Sequence, residues 1–325
     1  MSLVSDSNHW MFISSNGALS AGRKNSDYAL FPYYTDDKIT ESVEITGSKT
    51  IIHVRKQDKL FLWEPFSERY EGVYEITRNL YKNAYGNKVI FEEHNKDLGL
   101  TYHYQWNSSN IYGFVRKSTL INKEDTTVEV KVLDGLQNIV PFGVGEATQN
   151  GTSNLVDAYK RSELIPDSGL GIYALSAIIV DKAEPSEALK CNVVWSLGIQ
   201  NPKYLLSSLQ LDNFRNGETL HQEEDIKAEK GAYFVESEIS LGAGAETHWM
   251  MLANVNQNVS AITELSEKIK SESGLMQEVQ DDIDLGTARL LQLAGSSDAM
   301  QLSTDKLRNL RHFSNTLFNI MRGGI

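Results

Sequence analysis

One cysteine among 325 residues, Cys191, excludes an intramolecular disulfide and any metal site built on several thiolates. Its setting between Lys190 and Asn192, ahead of Val193, Val194 and Trp195, reads as a strand, where a thiol is expected to be buried and inert. Proline is scarce as well: all six lie before Tyr204, so nothing in the last third breaks a helix. No run of about 18 apolar residues occurs, which leaves no candidate membrane-spanning helix. The first residues also lack the basic segment and apolar stretch of a secretory leader. Basic residues are outnumbered, 31 Lys+Arg against 43 Asp+Glu for a net charge of −12. A surface built to neutralise phosphates is therefore not expected, and nucleic acid is not an expected partner. What is present is ordinary for a folded domain: 41% hydrophobic and 23% charged residues, with mean hydropathy −0.35. The length suits two domains, or one large sandwich with a remainder.

Two regimes follow one another along the chain. From about residue 8 to 255 short alternating runs are bounded by turn residues, the pattern of antiparallel sheet. In residues 127–132, Val128, Val130 and Val132 share one face while Glu129 and Lys131 share the other, so one face is buried and one is wet. Residues 51–55 and 60–63 flank a hairpin-length connection at 56–59. Runs at 73–78, 88–93 and 100–106 continue as a meander, and further strands are expected at 171–180, 188–197, 232–241 and 246–255. With no interleaved helices, these strands predict two stacked antiparallel sheets. After Asn256 the period changes: Val259, Ile262, Leu265 and Ile269 recur at helical spacing. Helices are then expected at 277–285, 287–293 and 304–321. Ser303 is the expected N-cap of the last, Asp305 lies in its first turn, and Leu307, Leu310, Phe313, Leu317, Ile320 and Met321 form its apolar stripe. Such a stripe needs a covering surface, so the chain reads as the front of a longer protein.

The most pointed chemistry lies in residues 9–38. Asn16, Arg23, Lys24, Tyr33, Tyr34, Asp36 and Asp37 stand near glycine-rich turns, a mixture suited to a sugar: aromatic faces stack on C–H surfaces while carboxylates and guanidinium groups bond hydroxyls. The alternative is a first hairpin whose aromatics pack on the core and whose charges are solvated. Gly143 and Gly145, and likewise Gly242 and Gly244, lack both the third glycine and the βαβ setting of a nucleotide loop. The acidic runs around His221 to Asp225 and Asp281 to Asp284 lack metal-ligand spacing and are expected to be solvated surface. His94 and His103 fall on neighbouring strands with Glu92 nearby, enough for proton transfer or for a satisfied structural pair. No Gly-x-Ser-x-Gly elbow is present.

Three stretches together, residues 11–38, residues 111–122 and residues 132–141, resemble the N-terminal β-sandwich of cellobiose-phosphorylase-like carbohydrate-active enzymes. Residues 313–324 look like the start of the helical barrel that follows in that family. The resemblance implies a mainly β, galactose-mutarotase-like super-sandwich over residues 8–255, then a helical linker and the beginning of an (α/α)6 barrel over 256–325. It also implies that the catalytic groups would lie beyond Ile325, so none is carried over, and no metal or cofactor is expected. Where phosphorylases tend to show a Gly-Gly-Tyr-Ser-like turn, this chain has Gly17, Ala18, Leu19 and Ser20, which leaves the sugar, and phosphorolysis against hydrolysis, open.

The expected function is that of a non-catalytic N-terminal domain of a larger glycoside hydrolase or phosphorylase, packed on the barrel and lining its sugar site. The chain alone is expected to be inactive. Expected partners are an oligosaccharide, the barrel of the same polypeptide and a second copy in a homodimer, with no membrane and no nucleic acid. The cytoplasm is the expected location, with export left open. Two other readings remain: a free-standing aldose-epimerase-like enzyme, which would need an acid and a base such as His94, His103 or His248 with a glutamate, and a stand-alone carbohydrate-binding module.

Overall fold

The structure, a computed structural model, describes residues 1–56, 59–177, 189–271 and 273–321. The centre of the connection expected at 56–59, the end of the strand expected at 171–180, the first residue of that expected at 188–197 and residues 322–325 lie outside the described residues. The chain begins with β1 (Ser2–Leu3), β2 (His9–Ile13), β3 (Leu19–Arg23), β4 (Ala29–Phe31) and α1 (Asp36–Glu41). There follow β5 (Gly47–Lys56), β6 (Lys59–Trp63), β7 (Ile76–Lys82), β8 (Val89–Asn95), β9 (Leu100–Ser109), β10 (Gly113–Asn122) and β11 (Val128–Ile139). After α2 (Glu146–Gly151) and α3 (Ser153–Asp157) come β12 (Lys160–Ile165), β13 (Leu170–Leu175), β14 (Lys190–Leu197), β15 (Lys203–Leu205), α4 (Leu211–Arg215), β16 (Asp225–Lys227), β17 (Gly231–Leu241) and β18 (Glu246–Asn258). Three helices complete the chain: α5 (Val259–Ser271), α6 (Leu275–Ser296) and α7 (Lys306–Met321).

The protein is a mainly β, two-sheet antiparallel sandwich followed by helices, as expected. A nine-stranded sheet has the order β16-β12-β13-β14-β18-β10-β9-β8-β7, a five-stranded sheet the order β15-β17-β11-β5-β6, and β1 to β4 form a small third sheet. The alternation in β11 sends Val128, Val130 and Val132 inward. There they join Ile52 and Val54 of β5 against Leu100, Tyr102, Tyr104 and Trp106 of β9. At the centre of this apolar layer Asp134 of β11 forms an ion pair with Arg116 of β10, both side chains fully buried. Thr50 (2.6 Å), Tyr102 (3.2 Å), Ser118 (3.3 Å) and the Trp249 indole (2.5 Å) also donate to the carboxylate. A buried charge is tolerated only when its lone pairs are occupied in this way.

The outer face of the nine-stranded sheet is covered by the helices. Val115, Val193, Trp195, Met250 and Leu252 meet Leu275, Val279 and Ile283 of α6, with Ile262 and Leu265 of α5 packed alongside. Cys191 belongs to this layer, and burial pushes its thiol up to about 12. The two helices expected at 277–285 and 287–293 are one helix, α6, running through Gly286. That glycine lies against Asp6, whose carboxylate a Cβ would meet at 3.0 Å, so packing outweighs the glycine's cost to the helix. At α7 the expected cap shifts from Ser303 to Asp305, whose carboxylate accepts the amides of Leu307 (3.1 Å) and Arg308 (3.0 Å). The acidic runs are not solvated throughout. Asp282 is buried and accepts Ser109 Oγ and the Ile111 amide, pinning α6 to the β9–β10 turn. Glu223 is buried on the amides of Leu206 (2.7 Å) and Ser207 (2.8 Å).

Candidate functional site

The residues of the N-terminal block lie on the small sheet. Its hairpin β2–β3 turns at Gly17, with φ +92°, where a Cβ would stand 2.7 Å from the Tyr104 hydroxyl; only glycine fits both conditions. Asn16 is spent on this turn and on α1. Its Oδ1 accepts Ser14 Oγ and the Ala18 amide (3.1 Å), and its Nδ2 donates to the Thr40 carbonyl (3.1 Å). Met11, Ile13, Leu19 and Ala21 enter the core, while alternation turns Trp10 and Phe12 to the opposite face. Tyr33 joins them, its ring centroid 5.3 Å from that of Trp10 and 6.4 Å from that of Phe12. Phe12 is 40% exposed and Tyr33 37%, so the ridge offers aromatic surface to solvent. Beside it a depression of about 290 Å³ is bounded by Phe12, Ser14, Tyr33, Tyr34, Asp36 and Ile39 among others. The Tyr34 hydroxyl accepts Gln149 Nε2 (3.3 Å), and the Lys38 ammonium stands 5.8 Å over its ring. Asp36 and Asp37 open α1 and are exposed. Hydrogen bonds from the Thr35 side chain and the Lys38 backbone hold Asp37 below the usual carboxylate range.

The structure thus brings Tyr33, Tyr34 and Asp36 together, with Asp37 next in the helix. Arg23 and Lys24 stand at the other end of the hairpin, where Arg23 pairs with His9 and the turn end pairs Ile13 with Leu19. The Arg23 guanidinium is engaged by three asparagines, donating to Asn8 Oδ1 (2.8 Å), Asn254 Oδ1 (3.1 Å) and the Asn110 carbonyl (3.3 Å). Burial lowers its pKa, and burial together with Arg23 lowers that of His9 to about 3. Lys24, at φ +64°, places its ammonium 5.1 Å over the Tyr28 ring. Trp10 and Phe12 were not among the candidate site residues. The available signal was their alternation with Met11 and Ile13, which marks them as the opposite face of one strand.

The histidines lie on the outer face of the nine-stranded sheet, on the side of β7 to β9. His94 Nε2 is 2.9 Å from Glu92 Oε1, and its Nδ1 is 2.8 Å from Thr101 Oγ1. Asn79 and Tyr81 also donate to Glu92, each at 3.1 Å. Burial pushes Glu92 upward, but these hydrogen bonds and His94 bring it below the usual carboxylate range. His103 pairs in register with Glu92, and burial lowers its pKa. Glu92 and His94 thus satisfy one another within the sheet, while His248, at the start of β18, is exposed. This geometry holds an ionised carboxylate, the form a base needs, with Oε1 shared among three donors.

No protein-family profile matches the sequence, and no curated protein does. Among solved structures, the chain is similar to a bacterial glucoamylase complexed with acarbose, at TM-score 0.51 and 9% identity over 90% of this chain. It spans 36% of that protein's length. A galactose mutarotase-like protein from Lactobacillus casei ATCC 334 overlaps 79% of this chain and 99% of its own, at TM-score 0.38 and 11% identity. An alpha-N-acetylgalactosaminidase from Bifidobacterium bifidum overlaps 82% of this chain and 37% of its own, at TM-score 0.40 and 9% identity. The resemblance read from the sequence therefore holds as fold, which the glucoamylase likeness carries.

Proposed function

We propose that this chain is the non-catalytic sandwich and helical linker of a larger glycoside hydrolase or phosphorylase, seated on a helical barrel and lining its sugar site with the N-terminal sheet. The observation that carries this reading is the half-used apolar stripe of α7. Phe313 and Leu317 are buried among Leu290, Ala294 and Ala299, whereas Leu307 and Leu310 of the same stripe are exposed. Met300 and Leu302 are exposed beside them, and an apolar groove of about 290 Å³ runs between these residues and Tyr85. Exposed apolar surface of this kind marks a docking face. The likeness to a glucoamylase, of which this chain would correspond to about a third, supports the same assignment as analogy of fold. The division into a sandwich over 8–255 and a linker over 256–325 belongs to this proposal.

In this arrangement the ridge of Trp10, Phe12 and Tyr33 supplies stacking surface and Asp36 a hydroxyl acceptor, while the reacting groups come from the barrel. The test is a charged substitution in the stripe. Leu307→Asp with Leu310→Asp leaves the stability of the 325-residue chain unchanged within about 0.5 kcal/mol, because both sites are exposed. In the chain continued beyond Ile325 the same pair is expected to separate the unfolding of sandwich and barrel and to reduce turnover. Equal, silent behaviour in both proteins would falsify the docking assignment.

A further inference from the structure

A second cavity, of about 320 Å³, lies on the outer face of the five-stranded sheet, far in the chain from the N-terminal block. At one end of this face α4 covers the sheet: Leu211, Phe214 and Leu220 pack on Ile51, Leu133 and Phe234. The cover ends just past Phe214, where Gly217 at φ +77° turns the chain. Beyond that point the outward positions become charged. Arg55 of β5 pairs in register with Glu129 of β11, and His53 with Lys131, which faces Glu238 of β17.

The floor is fixed by packing. The His53 imidazole stacks on Phe214 with centroids 4.7 Å apart and planes 4° from parallel, and the Lys131 ammonium lies 5.8 Å over the same phenyl ring. Lys131 is paired with Glu236, and Glu129 accepts Ser240 Oγ at 2.6 Å. By contrast the side chains of Arg55, Glu218 and Glu238 have no partner among the described residues, although all three line the cavity with the exposed Leu60.

This set discriminates among ligand classes. An anion would face Glu129, Glu218 and Glu238, and a cation would face Arg55 and Lys131. A neutral polyol suits both signs at once, since each hydroxyl can donate to a carboxylate and accept from a guanidinium. The volume is at the small end of ligand pockets, matching one or two sugar rings, and the exposed Leu60 offers apolar contact for C–H surface. We propose that the cavity between His53, Arg55, Leu60, Phe214, Glu218 and Glu238 is a second binding site, for a neutral mono- or disaccharide. It shares no lining residue with the depression of the N-terminal block.

The test is an NMR titration of the 15N-labelled 325-residue chain with maltose and with cellobiose, each to about 20 mM. The expected result is saturable shifts of the Leu60, Gly217 and Glu218 amides with at least one of the two, at a Kd of about 1 mM. Arg55→Ala and Glu238→Gln should each weaken binding about tenfold or more. Thermal melting checks that both fold, and Glu218→Gln provides a third variant should either fail. Tyr33→Ala should leave these shifts unchanged, which separates this site from the N-terminal sheet. Absence of saturable shifts with both sugars would overturn the proposal, as would shifts that persist in the Arg55→Ala, Glu238→Ala double variant or tighter binding of gluconate than of maltose.

Discussion

The two sheets of the sandwich treat their outer faces differently. The nine-stranded sheet turns an apolar band outward over β10, β14 and β18, and α5 and α6 seal it. Among the described residues the five-stranded sheet has only the short α4, which shields Ile51, Leu133 and Phe234 and leaves the charged positions beyond Phe214 open. The difference follows from residue type at outward positions. Val115, Met250 and Leu252 require cover, whereas Arg55, Glu129 and Glu238 keep their hydration. One face is therefore structural, and the other is free to meet a ligand.

The largest effect is expected on the sealed face. Val279→Asp places a carboxylate in the α6 layer, where Val279 is fully buried, and should cost about 4 kcal/mol in urea unfolding. If it costs as little as a surface change, the helices do not seal this sheet. Phe214→Ala tests the partly covered face: it removes both the anchor of α4 and the stacking partner of His53, at a cost of about 3 kcal/mol. Asp282→Ala leaves Ser109 Oγ and the Ile111 amide without their acceptor and should cost about 2 kcal/mol; Asp282→Asn should recover part of it.

The smallest effect is a pH dependence. Burial lowers the pKa of His53, with a contribution from Lys131 in the same direction, while the bond to the Arg215 carbonyl opposes it. The unfolded chain then binds a proton at a higher pH than the folded one. Stability is lost as pH falls below about 6.5 toward the lowered folded value. In His53→Gln this part of the acid sensitivity should disappear from melts compared at pH 7 and pH 5. An unchanged slope would mean that His53 is already solvated in the open face.

Much of this contrast was written locally. The alternation of Val128, Val130 and Val132 identified both the buried face of β11 and the wet one carrying Glu129 and Lys131, because a strand's period is a property of consecutive residues. In the N-terminal block, Tyr33, Tyr34 and Asp36 were legible as a group because they are near in sequence. Arg23 was not legible as a structural clamp, since its partners include Asn110 and Asn254 from distant strands. The cavity on the five-stranded sheet was invisible for the same reason: His53, Lys131, Phe214 and Glu238 converge from four elements. Asp282 and Glu223 were hidden within acidic runs, where nothing in the run itself marks the member that turns inward. The helix does not break at Gly286, where local propensity does not register the packing of Asp6 against it.

The central proposal is that this chain is the supporting, not the reacting, part of a carbohydrate-active enzyme. Its most direct test is turnover of disaccharides, maltose and cellobiose included, by the purified 325-residue protein with and without inorganic phosphate, beside the same protein continued beyond Ile325. The account predicts no turnover by the 325-residue chain and turnover by the longer one; hydrolysis or phosphorolysis by the 325-residue chain alone would contradict it.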